Sequence, residues 1–361
     1  MPKSKKTNKG NKGEWSEFYV FLKLLAEGKL FAADKKLKKL SDVFYKIIKV
    51  IRDETPGSLN YLRNGNIKIV NQDNKLIAEV PVSEFVSAAK TLFKEIAGAE
   101  ETTFDSAKTR KFMKRIFCKS IKAESKDKSD IKVVVYDQVV ARSTELGFSI
   151  KSDLGAAPTL LNSGKTTNFV FEIEGKINPV DIESLNQKGV QEIVKELLRK
   201  QCKLTYKDIE SQVFKANLQV LDSKMPELVS DMLVLYYSGK TSKIAEMLTD
   251  INGRNPLGFV SAGEHKYYEY KVKNLLTDIA LGMTPGTVWQ GRYDATGGYI
   301  IVKEDGELLC FHIYNRNDFQ DYLLENTKLD TPSTTKYKFG EIYRDNGKFY
   351  IKLNLQIRFI D

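Results

Sequence analysis

The chain is expected to be an α/β protein, a mixed sheet flanked by helices, with an N-terminal helical region before it and a C-terminal α+β region after it. Three observations predict this. Two β-rich runs in the middle, Ile131–Tyr136 and Leu146–Lys151, read as a strand pair. Residues 180 to 250 read as mostly helical. From Arg254 the composition turns to Gly, Asn, Tyr and β-formers with hairpin turns. The expected boundaries are a disordered basic arm at 1–12, a helical region with one hairpin at 13–100, and a catalytic-type core at 101–180. A helical scaffold at 181–253 and an α+β region at 254–361 follow.

The first element starts at Gly13 and continues through FYVFLKLLAEGKL, apolar nearly all round and therefore buried. Glu14 and Glu17 stand in its first turn, where carboxylates suit the helix dipole. Glu17 also shares a face with Phe21 and Leu24, and a carboxylate on a core-facing stripe needs a partner. Residues 30 to 53 read as a short strand and an amphipathic helix from Asp42 to Arg52, ended by Pro56-Gly57. A hairpin at 66–82 turns at NQDN. Ser83 caps a helix to Ile96. A linker from Gly98 to Asp105 leads to a helix over Ser106–Phe117 carrying Lys108, Arg110, Lys111, Lys114 and Arg115. That charge run is a solvated face or the wall of a polyanion cleft.

The stretch Lys128–Ser152 organises the rest. Leu146, Phe148 and Ile150 share one face of their strand, and Gly147, Ser149 and Lys151 the other. On the preceding strand Ile131, Val133 and Val135 are the apolar set, so Asp130 lies with Lys132 on the opposite side. Folding the hairpin about residue 140 or 141 brings Asp130 opposite Lys151 and Ser152. Asp137 has the apolar parity and lies about 20 Å from Lys151 along the strands. An acid and a lysine on one face can build a metal-dependent phosphodiesterase site, in which the carboxylate holds Mg²⁺ and the lysine orients or activates water. A turn aspartate and a solvated lysine give the same pattern in many α/β proteins.

Downstream, Asn168–Glu174 reads as a strand with Glu172 facing away from Phe169, Phe171 and Ile173. Glu172 is either an exposed strand residue or a second carboxylate for the site. Helices follow at 181–201, 205–224, 226–238 and 240–252. Tyr299–Val302 and Leu308–Tyr314 form a hairpin, Asn317–Asn326 a helix, and Gly340–Tyr343 with Phe349–Ile360 a last hairpin around Asn346-Gly347.

Bulk properties narrow the function. Net charge is +10 and pI about 9.1, which favours a polyanionic partner. No apolar run approaches the ~18 residues of a membrane span. Three scattered cysteines (Cys118, Cys202, Cys310) suit a reducing cytoplasm and no zinc site. Two histidines, His265 and His312, are too few for a clustered His-metal nuclease, and no G-x-S-x-G is present. Asn162-Ser163-Gly164-Lys165-Thr166 imitates the end of a P-loop, but Thr159 stands where its first glycine belongs.

The Asp130/Lys151 arrangement resembles the PD-(D/E)xK nuclease core, whose lysine strand normally reads Asp/Glu-x-Lys. Here it reads Ser149-Ile150-Lys151, so one carboxylate is displaced. Nucleases of this kind often bring a glutamate from the first helix, which points to Glu17, with Glu172 in reserve. Three longer motifs are more specific: NKGEWSEFYVFLKLLAEGKLFAAD, LGFSIKSDLGAAPTLLN, and YNRNDFQDYLLENTKLDTPSTTKYKFGEIY followed by LNLQIRF. Together they resemble the HpaII-type restriction endonucleases from about Gly13 to Phe359. The resemblance implies a type II restriction endonuclease that hydrolyses duplex DNA at CCGG with Mg²⁺, beside a cytosine methyltransferase in a prokaryotic cytoplasm. Catalysis would fall to Asp130, Lys151, Glu17 and Ser149, with Asp130, Glu17 and Glu172 as metal ligands. Guanine readout suits Arg or Lys, and Arg292, Lys336 and Tyr337 are the candidates for touching DNA. A palindromic site suits a homodimer, and a monomer acting on one strand at a time is equally compatible. A DNA-binding module with a decayed core, and an RNA or structure-selective nuclease, are the competing classes.

Overall fold

Asn11 caps the first helix, α1 (Lys12–Glu27), and the cap is reciprocal: Glu14 N–H donates to Asn11 Oδ1 and Asn11 N–H to Glu14 Oε2, each at 2.8 Å. Glu14 is thereby committed to the helix start. Trp15, Phe18, Phe21, Leu22 and Leu25 are completely buried, each stabilising the core by roughly 1.5–3 kcal/mol. Gly28 ends the helix in the left-handed region at φ 71°. The computed structural model describes residues 9–54, 57–123, 129–137, 141–260 and 263–360. Most of the basic arm, Pro56 and the tip of the central hairpin lie outside the described residues.

The chain divides into two units, Met1–Pro158 with Asp294–Phe319, and Thr159–Tyr293 with Gln320–Asp361. In the first, a short pair joins β1 (Gly10–Asn11) to β7 (Thr103–Phe104). The main sheet has nine strands. They are β2 (Lys29–Ala33), β3 (Lys39–Glu54), β4 (Gly57–Asn64), β5 (Asn66–Asn71), β6 (Leu76–Val80), β8 (Ile131–Asp137), β9 (Arg142–Ser152), β13 (Gly298–Val302) and β14 (Leu308–His312). The order is β2-β14-β13-β9-β8-β3-β4-β5-β6, and an added β2–β3 pairing returns the hydrogen-bonded path on itself. Only β13–β9 and β14–β2 are parallel. Helices α1, α2 (Val82–Gly98) and α3 (Ala107–Arg115) belong to this unit.

Residues 13–100 hold far more strand than the helical region expected there. The segment 42–52, expected as a helix, is the middle of the sixteen-residue β3. Its β-branched residues Val43, Ile47, Ile48, Val50 and Ile51 favour a strand. A register shift between Ile47 and Lys49 breaks the two-residue alternation, and that break is what imitates a helical period. The hairpin at 66–82 forms as β5 and β6. The helix after it starts at Val82, without a side-chain cap from Ser83.

In the second unit, β12 (Lys203–Ile209), β11 (Asn168–Glu174), β17 (Lys348–Asn354) and β16 (Ile342–Asp345) form one antiparallel sheet. β10 (Thr159–Leu161), β18 (Ile357–Phe359) and β15 (Thr327–Leu329) form another. Its helices are α4 (Asp181–Asn186), α5 (Val190–Arg199), α6 (Gln212–Leu221), α7 (Met225–Tyr237), α8 (Ile244–Arg254), α9 (Tyr267–Leu281) and the four-residue α11 (Thr334–Tyr337). α10 (Arg316–Glu325) crosses the boundary in sequence. The helix expected at 181–201 is two, with Gly189 capping the second. The one expected at 205–224 begins as strand β12, because Leu204 and Ile209 anchor it to β11. The segment 101–180 contributes strands to both units. No helix among the described residues is long and apolar enough to cross a membrane.

Candidate active site

The site lies in the first unit, where the start of β8, the end of β9 and the first turns of α1 present polar groups. Ile131 pairs with Phe148, and the Asp130 N–H donates to Phe148 O at 2.8 Å. Continuing that register sets Asp130 opposite Ser149, two residues short of the expected Lys151. Asp137↔Arg142, in the same register, is the last described pair, and the turn beyond it lies outside the described residues. Face sharing survives this shift, since Ser149 and Lys151 have the same parity.

Asp130 is fixed on one oxygen. Its Oδ2 accepts from Ser149 Oγ at 3.0 Å and from the Ile150 N–H at 2.8 Å. Ser149 itself is buried, and it orients the acid from the position where the Asp/Glu-x-Lys pattern has a carboxylate. Gly147 permits the approach: a Cβ there would lie 2.8 Å from Ser129 Cβ and 3.0 Å from the Asp294 carbonyl.

Glu17 comes from α1. Its Oε1 accepts from Lys122 Nζ at 3.2 Å, and Lys122 also lies 3.7 Å from Asp130 Oδ1. Glu17 Oε2 is buried without a hydrogen-bond partner. Burial, then the nearby Asp130 charge, pushes the Glu17 carboxyl up to about 7 against the pull of Lys122. Burial opposes the charge of Lys122, but Glu17 and Asp130 outweigh it and the ammonium is raised. Lys151, 5.6 Å from the Tyr299 ring centre, is lowered by burial although Asp130 and Glu17 favour its charge. Glu17 and Asp130 line a cavity of about 20 Å³ with Arg52, Asp53, Ser129 and Lys132, room for one water or ion.

Lys122 escaped the sequence reading because it lies in an irregular segment after α3. The backbone just before it, residues 119–121, is held by a buried pair. Arg52 Nε donates to Glu54 Oε1 at 2.7 Å, and Arg52 Nη2 donates to the carbonyls of Ser120 and Ile121. Glu54 Oε2 accepts from the Lys119 N–H at 3.1 Å. A buried Arg and Glu two apart on a strand were the available signal.

Other candidates lie elsewhere. Glu172 belongs to the second unit, with Lys207 at 2.9 Å and Lys348 at 2.8 Å on its two oxygens. Arg292 is exposed in an irregular segment of that unit. Lys336 and Tyr337 sit in α11, capped by Ser333, with the ammonium 5.1 Å from the ring centre. Asp137 is buried at the far end of β8. His312 is pushed down to about 4 by burial, with Asp137 opposing. All three cysteines are free and buried. No group of three or more His, Cys, Asp or Glu is placed to hold a metal among the described residues. Glu17 and Asp130 are the two carboxylates that Lys122 bridges, whereas Asp53, on the same cavity, accepts from Ser58 Oγ at 2.5 Å and lies 3.5 Å from Lys132.

Residues 11–359 match the family model of the HpaII restriction endonuclease. The chain belongs to the HpaII restriction endonuclease family. It is 45% identical over 355 residues to the type II restriction enzyme HpaII of Haemophilus parainfluenzae, covering 97% of this chain and 98% of that one. The resemblance read from three sequence motifs is borne out over nearly the whole length. No solved structure matches the chain significantly. This member of the family is a type II restriction endonuclease on a mixed α/β fold.

Proposed function

We propose that this endonuclease hydrolyses phosphodiester bonds of duplex DNA at a short palindromic site, CCGG, with Mg²⁺, through a PD-(D/E)xK-like centre built of Asp130, Glu17, Lys151 and Ser149. The observation that carries this reading is the convergence of two carboxylates from different elements, α1 and the start of β8, whose charges both act on the half-buried Lys151. Type II restriction endonucleases generally use a divalent metal. The donor set suits a hard cation, with hard oxygens, one carboxylate oxygen buried and unpartnered, and no thiolate or imidazole. Glu17 and Asp130 would hold it, with water completing the shell. Such an ion would polarise the phosphate and lower the pKa of bound water.

The chain's own groups do the rest. Ser149 and the Ile150 N–H hold Asp130 in one orientation. Lys151, its ammonium made more acidic by burial, holds or releases a proton at Nζ closer to neutral pH than an exposed lysine does. The two lysines offset phosphate charge. Arg292, Lys336 and Tyr337 remain the candidates for DNA contact. The partner enzyme is a cytosine methyltransferase that protects CCGG in the same cytoplasm.

Digestion of unmethylated plasmid with Mg²⁺, with end-sequencing of the fragments, tests this. Discrete ends within CCGG are expected. Ends at another motif would overturn the site, and DNA binding without cleavage would favour a decayed core. Preference for RNA or unpaired strands would overturn duplex specificity.

A further inference from the structure

Lys122 sits against the same two carboxylates that the proposed cation needs. Its ammonium is 3.2 Å from Glu17 Oε1 and 3.7 Å from Asp130 Oδ1. Two carboxylates brought together from separate elements repel, and an internal cation between them relieves that repulsion. The placement is built rather than incidental. Arg52 and Glu54 tie down the backbone of residues 119–121 immediately before Lys122. The side chain is 51% exposed, so it can withdraw while its backbone stays fixed.

We propose that Lys122 is a built-in competitor for the divalent cation. It occupies the carboxylate pair in the metal-free enzyme and must leave before a metal ion loads. The proposal rests on the reading of Glu17 and Asp130 as the metal ligands. Its consequence is a weak intrinsic affinity for metal, set by the strength of the ammonium–carboxylate contacts. The displaced ammonium stays tethered next to the site, where the other polyanion present is the DNA backbone. A partner for the released lysine thus arrives with the substrate, which favours metal loading on DNA over loading in its absence.

Mn²⁺ binding to the full chain without DNA, measured by water-proton relaxation at pH 8, tests this. Lys122→Met should bind Mn²⁺ about fivefold tighter than wild type or more, the equivalent of one ordinary ion pair. Lys122→Gln is the second uncharged variant and should behave alike, whereas Lys122→Arg should stay near wild type. Glu17→Gln and Asp130→Asn should bind much more weakly than wild type. If both uncharged variants bind Mn²⁺ no tighter while Glu17→Gln and Asp130→Asn lose it, the competitor is overturned and the metal site stands. If Glu17→Gln and Asp130→Asn bind like wild type, the ligand reading itself falls.

Discussion

In the proposed centre Asp130 and Lys151 have different roles, and their removal should be separable from DNA binding. Asp130→Ala removes a carboxylate that Ser149 and Ile150 orient, and Lys151→Ala removes the half-buried ammonium on which Asp130 and Glu17 act. Each should lower the cleavage rate on the order of 10²–10⁴-fold with little loss in gel-shift affinity for duplex DNA. Full cleavage by either would remove that residue from the site. Glu17 carries a pH signature. Its folded-state value near 7 lies above the ordinary 4.5, so it stabilises the metal-free fold fully below about pH 4.5. That stabilisation is lost as pH rises to about 7, on the order of 3 kcal/mol at most. Glu17→Gln should flatten this part of the stability–pH curve in urea melts at pH 4 to 8, and an unchanged slope would contradict the assignment.

At the scale of elements, the segment after α3 depends on the long strand β3. Arg52 and Glu54 are both buried, with side-chain exposures of 5% and 4%, and between them they bind three backbone groups of residues 119–121. Arg52→Met strands the buried Glu54 carboxylate and leaves the carbonyls of Ser120 and Ile121 without their donor. It should cost about 3–5 kcal/mol, read as a lower denaturation midpoint. The same strand shows where sequence reasoning failed. Its register shift at Ile47–Lys49 scrambled the alternation by which a strand is recognised. The helices α1 and α7, with apolar residues over most of their surface, were legible because burial on all sides leaves no such ambiguity.

Across the whole molecule, the lysine strand is an interior strand only because a distant segment joins it. β13 pairs in parallel with β9, setting Ile301 beside Lys151, and β14 then bridges to β2. A fragment ending at Pro158 would lack both strands and expose the edge of β9. It should be insoluble or lack cooperative unfolding, and adding residues 294–319 as a separate peptide should recover structure by circular dichroism. A cooperative, soluble 1–158 fragment would contradict this dependence.

The sequence by itself determined the family, the parity that puts Asp130, Ser149 and Lys151 on one face, and the first-helix glutamate as a candidate. These follow from local rules: side-chain alternation, helix phase, and long motifs whose order leaves little to chance. Tertiary structure alone decided that Asp130 lies opposite Ser149, that Glu17 meets Asp130 across Lys122, and that Glu172 is neutralised by two lysines in the other unit. Those contacts join residues far apart in the chain, and their geometry is set by the packing of α1 and the closure of the sheet, which no local pattern encodes.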